Sequence, residues 1–223
     1  MGAVHSLGVL AFKSLTRAIC RVDDAQLEKV PDKGPLILIA NHVHIMELPL
    51  LYTHLQPRPI TGLVAARRWD KFWTRWLVEQ SGSIPLRRGT ADVSAIRQGM
   101  AALEEERILA ISPEGTRGGN GALQKGRSGV VLLALQSGAP IIPVVHYGSE
   151  DYKRCLARLK RSDFHFVVGD TFRLIAPEGK VSRQIRLQIA DEIMYRMAAL
   201  LPPRYRGVYS NLEKATEEYI LVE

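Results

Sequence analysis

Leu36-Ile37-Leu38-Ile39-Ala40, followed at once by Asn41-His42, is the stretch from which the architecture can be read outward. Its five apolar residues show no alternation, so neither face of the segment is meant for water. The run is too short for a stable helix, and it opens from a Gly34-Pro35 turn. It fits a strand covered on both sides, as the strands of parallel sheets are. Further runs of this kind stand at 62–65, 83–86, 108–111 and 141–146, and a late strand pair is expected at 164–168 and 171–175 around Gly169-Asp170. Between them lie helical patterns at 47–55, 69–80, 91–107, 129–136 and 182–200, the last stopped by Pro202-Pro203. Trp69, Phe72, Trp73, Trp76 and Leu77 mark one of these, and Val93, Ile96, Met100 and Leu103 another. Strands alternating with helices predict an α/β fold, a single domain with a largely parallel central sheet flanked by helices. The expected division is an N-terminal amphipathic helix and linker over 1–30, the main domain over 31–203, and a polar tail over 204–223 that is a surface helix or a loose end.

The 223 residues are 46% hydrophobic and 24% charged, which excludes disorder and low complexity for the chain as a whole. Thirty Lys and Arg against 23 Asp and Glu give a net charge of +7, so anionic partners are expected. Cys20 and Cys155 stand far apart without a partner motif, which fits neither a disulfide scaffold nor a structural zinc site. The most apolar stretch, 130–145, is cut by Gln136, Ser137, Gly138 and Pro140, and no run reaches the roughly 18–20 residues that cross a bilayer.

Near the N-terminus there is no basic segment ahead of the apolar run and no small-x-small cleavage pattern, so a signal peptide is not expected. Val4, Leu7, Ala11, Leu15, Ala18 and Val22 recur at three- and four-residue spacing, with Lys13, Arg17 and Arg21 mostly off that stripe. The pattern is an amphipathic helix. It suits either a helix lying in the interface of an anionic membrane or a terminal helix packed on the domain.

Two segments directly after strands carry groups suited to chemistry, and strand ends are where α/β sheets gather their sites. In Asn41-His42-Val43-His44-Ile45-Met46-Glu47, His42 can serve as a general base, and a carboxylate five residues on can return to orient the ring and stabilise its protonated form. His42 and His44 lack a third and fourth ligand at a recognised spacing, so no metal is expected. In Ser112-Pro113-Glu114-Gly115-Thr116-Arg117, backbone N–H groups, the Thr116 hydroxyl and the Arg117 guanidinium suit a phosphate. Gly82 to Arg88 brings Arg87 and Arg88 to another strand end, and Pro140-Ile141-Ile142-Pro143-Val144 offers only an apolar wall. His54, His146 and His165 receive no role.

These four blocks, in this order, resemble the glycerolipid acyltransferase family, typified by 1-acyl-glycerol-3-phosphate acyltransferase. The family shows NHxxxxD, GxxxxxR, a PEGTR block and an apolar block with proline. Here they read Asn41-His42 to Glu47, Gly82 to Arg88, Pro113-Glu114-Gly115-Thr116-Arg117 and Ile142-Pro143-Val144, spanning about 36–148. The resemblance implies a membrane-associated enzyme at the cytoplasmic face, with a thioester donor, acyl-CoA or acyl carrier protein, as co-substrate. It implies a lysophospholipid acceptor such as 1-acyl-glycerol-3-phosphate. His42 would be the base and Glu47 its orienting acid. Asn41, Arg88, Glu114, Gly115, Thr116 and Arg117 would bind substrate, with no resident cofactor and no metal. No nucleic-acid module is recognised, and nucleic acid is not an expected partner.

Two departures from the family pattern stand out: the acid of the first block is Asp there and Glu47 here, and the strand at 62–66 runs into Arg67-Arg68 where relatives often carry a lysine slightly earlier. The added methylene moves the carboxylate by about 1.5 Å. On that ground a second expectation stands beside the first, a non-catalytic lipid- or membrane-surface-binding protein on the same fold.

Overall fold

The computed structural model describes residues 3–42, 47–87, 92–115, 121–177 and 179–222, with side chains placed for all of these except 3–8, 47, 48, 73, 76, 77, 80 and 153. In chain order the main elements are α1 (Ala3–Ile19), β1 (Cys20–Asp23), β2 (Leu36–Ile39), α2 (Glu47–His54), β3 (Ile60–Ala65), α3 (Phe72–Gln80), β4 (Ile84–Leu86) and α4 (Val93–Glu104). There follow β5 (Ile108–Ile111), α5 (Gly129–Ser137), β6 (Ile141–Tyr147), α6 (Tyr152–Ala157), β7 (Ser162–Val168), β8 (Phe172–Leu174), α7 (Arg183–Leu200) and β9 (Ile220–Val222).

The strands form one sheet in the order β1-β7-β6-β2-β5-β3-β4, with β8 on β6 and β9 on β8. The central strands β6, β2, β5, β3 and β4 are mutually parallel, so the expected α/β class with helices on both faces is what the chain adopts. β2 lies in the middle with all four residues buried, and its pleat explains the unbroken apolar run. Ile37 and Ile39 point into a core shared with α4, α5 and α7. Leu36 and Leu38 point the other way, toward Leu50, Leu51 and the Phe164–Phe166 pair. A strand that needs apolar residues on both faces cannot alternate.

Three differences from the sequence expectations have local causes. Spacing predicts a first helix running to Val22, yet α1 ends at Ile19 and the next four residues pair with β7, Cys20 opposite Ser162. Strand pairing satisfies backbone groups that the last helical turn would leave open. Arg161 closes the junction, donating to the carbonyls of Arg17 and, at 2.8 Å, of Cys20. α1 also turns its expected apolar stripe outward: Thr16 is buried, whereas Ala11, Leu15 and Ala18 are exposed.

The late strand pair does not form a hairpin. β7 and β8 both run antiparallel to β6, Val168 opposite Val144 and Phe172 opposite Ile141. Between them Gly169 donates to the carbonyl of Pro143 at 2.9 Å, and a Cβ on Gly169 would stand 2.8 Å from both Pro143 Cγ and a Leu200 methyl. Residues 169–171 face only 142–143, and the one extra residue makes a bulge where close approach admits only glycine.

The polar stretch after Pro203 is neither a long surface helix nor a loose end. It makes three short 3-10 turns that bury Tyr205 and Tyr209, then adds β9 to β8. The buried Glu192 carboxylate anchors it, accepting from Thr216 Oγ1 at 2.7 Å and from the N–H groups of Glu218 and Tyr219.

The packing of α1 against α2 contains a titrating group. The His54 ring is fully buried, its Nδ1 2.9 Å from the Leu50 carbonyl and its Nε2 3.6 Å from the Asp24 carboxylate, which also holds Arg17 at 2.9 Å. Burial pushes the ring below its ordinary 6.5, against the Leu50 carbonyl, with Lys13 and Arg17 adding to the push and Asp24 opposing it. The folded chain therefore binds this proton less readily than the unfolded chain. Stability contributed by the neutral ring is present above about 6.5 and is lost as the pH falls below that value. The thermal midpoint is expected to fall between pH 7.5 and 5.5, and His54→Gln is expected to flatten that slope in a melting series across the same range.

Candidate active site

β2 and β5 are adjacent and parallel, with Ile39 opposite Ile111, so both chain segments leave the sheet at the same end and side by side. Ala40 still donates to the Ile111 carbonyl at 3.0 Å. From there Asn41-His42 and Ser112-Pro113-Glu114-Gly115 emerge next to each other, although they lie some 70 residues apart in the chain.

Glu114 joins the two blocks. Its side chain is buried, one carboxylate oxygen accepting the backbone N–H of His42 at 2.9 Å and the other that of Gln124 at 2.8 Å. The backbone of His42 is thus held by the Glu114 carboxyl group, and its side chain is half-buried at the sheet end. Arg127 secures the same loop, donating from Nε to the Glu114 carbonyl at 3.2 Å and from its backbone N–H to the Pro113 carbonyl at 2.9 Å.

Gly115 lies beneath that arginine with φ +63°, where a Cβ would sit 2.7 Å from Arg127 Cδ. A left-handed conformation and a side chain pressed on the backbone both require glycine here. Gly115→Ala is expected to cost about 1–2 kcal/mol for the conformation alone. It also displaces Arg127 from the Glu114 carbonyl. A calorimetric scan should show a lowered midpoint, and adding Arg127→Ala should relieve the steric part while leaving the conformational part.

Asn41 is fixed from the other side. Its amide donates to the His146 carbonyl and accepts the His146 N–H, both at 2.8 Å, as a strand residue would across a ladder. The His146 ring reaches back, its Nε2 3.1 Å from the Asn41 carbonyl, and it stacks on Phe164 with centroids 5.0 Å apart. His146 is a positioning residue that the sequence does not announce, because its partner is brought to it only by the pairing of β6 with β2. Gln124 and Arg127 are two more of the same kind, and only their place just after the glycine-rich loop hints at them.

The structure thus brings Asn41, His42, Glu114 and Gly115 together. Glu47 opens α2, on the same connection as His42, with its carboxylate outside the described side chains. Arg88, Thr116 and Arg117 lie outside the described residues, as do Val43 to Met46 and most of the glycine-rich loop. Among the described residues no group of three or more His, Cys, Asp or Glu stands where it would hold a metal ion.

A family model described as Acyltransferase matches residues 21–147, which is more than half of the chain and contains every strand around the site. The chain belongs to the Acyltransferase family. Over 113 residues this acyltransferase-family chain is 33% identical to a lyso-ornithine lipid O-acyltransferase of Pseudomonas aeruginosa, a match covering 50% of this chain and 43% of that protein. Over 131 residues it is 27% identical to a 1-acyl-sn-glycerol-3-phosphate acyltransferase of Borreliella burgdorferi, covering 56% and 50%. The chain spans about half the length of these curated relatives. The crystal structure of the 1-acyl-sn-glycerophosphate (LPA) acyltransferase PlsC from Thermotoga maritima superposes with a TM-score of 0.57 at 17% identity, covering 88% of this chain and 77% of that one, a likeness of fold.

Proposed function

We propose that this member of the Acyltransferase family moves a fatty acyl group from a thioester, acyl-CoA or acyl carrier protein, to the free hydroxyl of a lysophospholipid, 1-acyl-glycerol-3-phosphate being the first acceptor to consider. The observation that carries the proposal is the Glu114 clamp, which fixes the backbone of His42 beside the Pro113-Glu114-Gly115 turn and leaves the imidazole at the open end of the sheet.

In this reading the acceptor hydroxyl oxygen attacks the thioester carbonyl carbon while His42 takes its proton. The tetrahedral intermediate collapses with loss of the C–S bond, and the departing thiolate recovers the proton from the imidazolium. A thioester is already activated, so a positioned base suffices and no covalent acyl-enzyme is needed. Glu47 would orient the ring, and Arg88, Thr116 and Arg117 would meet the acceptor's anionic headgroup. No metal or resident cofactor enters the proposal. Glu114 contributes by holding His42, since its carboxylate already receives two backbone N–H groups.

A second acceptor is supported by the name of the Pseudomonas relative, the more similar of the two over its aligned length: a lyso-ornithine lipid. Thiol release from palmitoyl-CoA in mixed micelles, with lysophosphatidic acid in one series and lyso-ornithine lipid in the other, tests both. Acceptor-dependent release would support acyl transfer and rank the acceptors. Absence of release with either, from CoA and carrier-protein donors alike, would favour the non-catalytic lipid-binding alternative. Among the described residues no helix is long and apolar enough to cross a membrane.

A further inference from the structure

The end of the sheet that carries His42 also carries strongly exposed apolar side chains on both flanks, Phe72 and Leu159 the most exposed of the large hydrophobics among the described residues. β3 is parallel to β5 and β2, and it runs straight into a 3-10 turn (Ala66–Trp69) and then α3, so Phe72 projects at this end. Phe72 is 88% exposed. On the other flank β7 is antiparallel to β6, with His165 opposite Tyr147, so the turn that enters β7 lies at the same end. Leu159 occupies that turn, 95% exposed and at φ +54°. A non-glycine residue held left-handed with its side chain in water costs energy and buries nothing.

Cations accompany both. Exposed Arg67 and Lys71 precede Phe72, and exposed Arg158 and Lys160 bracket Leu159, with Asp70 the one acid interleaved in either group. Arg161 fastens the Leu159 turn to the end of α1, whose outward face is the exposed stripe of Ala11, Leu15 and Ala18. β7 and β3 are four strand spacings apart in the sheet, about 19 Å, with β6, β2 and β5 between them. The two anchors therefore straddle the mouth of the site.

We infer that this end of the sheet is a docking face for an anionic lipid bilayer, with Phe72 and Leu159 as the apolar anchors and Arg67, Lys71, Arg158 and Lys160 as the lipid-headgroup contacts. The inference rests on the lysolipid-acceptor reading above, and it names where the acceptor's phase meets the protein. A partner broad enough to cover this end of the sheet would meet an anchor on either side of His42, since β2 lies between β7 and β3. Apolar tips inside a basic rim match anionic headgroups over an acyl layer. An acidic protein such as an acyl carrier protein would match the cations but would have to supply an apolar pocket on each side of the site.

The test is flotation of the full chain with phosphatidylcholine vesicles with or without phosphatidylglycerol, for wild type, Phe72→Ser/Leu159→Ser and Arg158→Glu/Lys160→Glu. All four positions are exposed, so the fold is expected to survive. Wild type is expected to float with the anionic vesicles and to be released by salt. Each double variant is expected to lower partition roughly tenfold or more. Turnover of a vesicle-embedded lysolipid should fall in parallel, and turnover of a short-chain, water-soluble lysophosphatidate should remain at the wild-type rate.

Unchanged partition in both double variants overturns the inference. So does a loss confined to turnover with acyl carrier protein donors, which would assign the patch to that protein. Partition that depends on Phe72 and Leu159 in a chain that turns over no thioester would instead sink the acyl-transfer reading and leave the docking face standing.

Discussion

His42→Ala is expected to lower acceptor-dependent thiol release by about two to four orders of magnitude, the range that a positioned general base contributes. The thermal midpoint is expected to stay near that of wild type. The reason for the second expectation is specific to this site: Glu114 grips the backbone N–H of His42, and alanine keeps that group. The backbone clamp survives the substitution, so a rate lost without stability identifies chemistry rather than folding. Release that persists within tenfold of wild type in His42→Ala would remove the imidazole from the mechanism. Glu47→Asp, run beside it, restores the family's acid. A faster variant would show that the longer side chain orients the ring imperfectly, and a slower one that the site is built around glutamate.

Glu114→Gln is expected to do the opposite, losing rate and stability together. The carboxylate accepts from two backbone donors 2.8–2.9 Å away, and it is buried. An amide of the same shape offers one acceptor and turns a second donor toward the other N–H. Leaving that buried group unsatisfied costs about 1–3 kcal/mol. For a chain of this size each kilocalorie is worth roughly 2–4 °C in melting temperature, so a midpoint lowered by several degrees is expected in a thermal scan. Loss of the clamp also lets His42 drift, and a displacement near 1 Å can cost on the order of 100-fold in rate. A Gln variant as stable as wild type would show that Glu114 is not the group holding the two motif blocks together.

How much of this could be read from the chain depended on whether the relevant contacts were local. β2 and β5 were legible as strands because burial on both faces leaves an unbroken apolar run; that they are neighbours, which places Asn41-His42 beside Pro113-Glu114-Gly115, came only with the fold. β1 was not legible. Cys20-Arg21-Val22-Asp23 continues a helical spacing, and only β7, far downstream, makes it a strand. β9 was hidden for the same reason, in a polar segment whose burial comes from β8 and from Glu192. In the site, the motif blocks implied, through the family resemblance alone, that Glu114 meets substrate. What they could not convey was that its carboxylate faces two backbone N–H groups, because one of those, on Gln124, arrives by way of a loop. Likewise nothing near His146 marks it as the partner of Asn41.

The spacing of these contacts along the chain has a consequence for biosynthesis. Asn41 and His146 are 105 positions apart, and Glu114 stands 72 positions after the N–H that it receives. A nascent chain emerging from the ribosome presents His42 early, yet Asn41 has nothing to pair with until β6 is translated. The β1 edge waits longer still, until Ser162 is out of the exit tunnel. Pairings of such long range form late and slowly. A nascent chain that stops short of β6 therefore carries the imidazole without the framework that aims it, and the site closes only once β6 has been made.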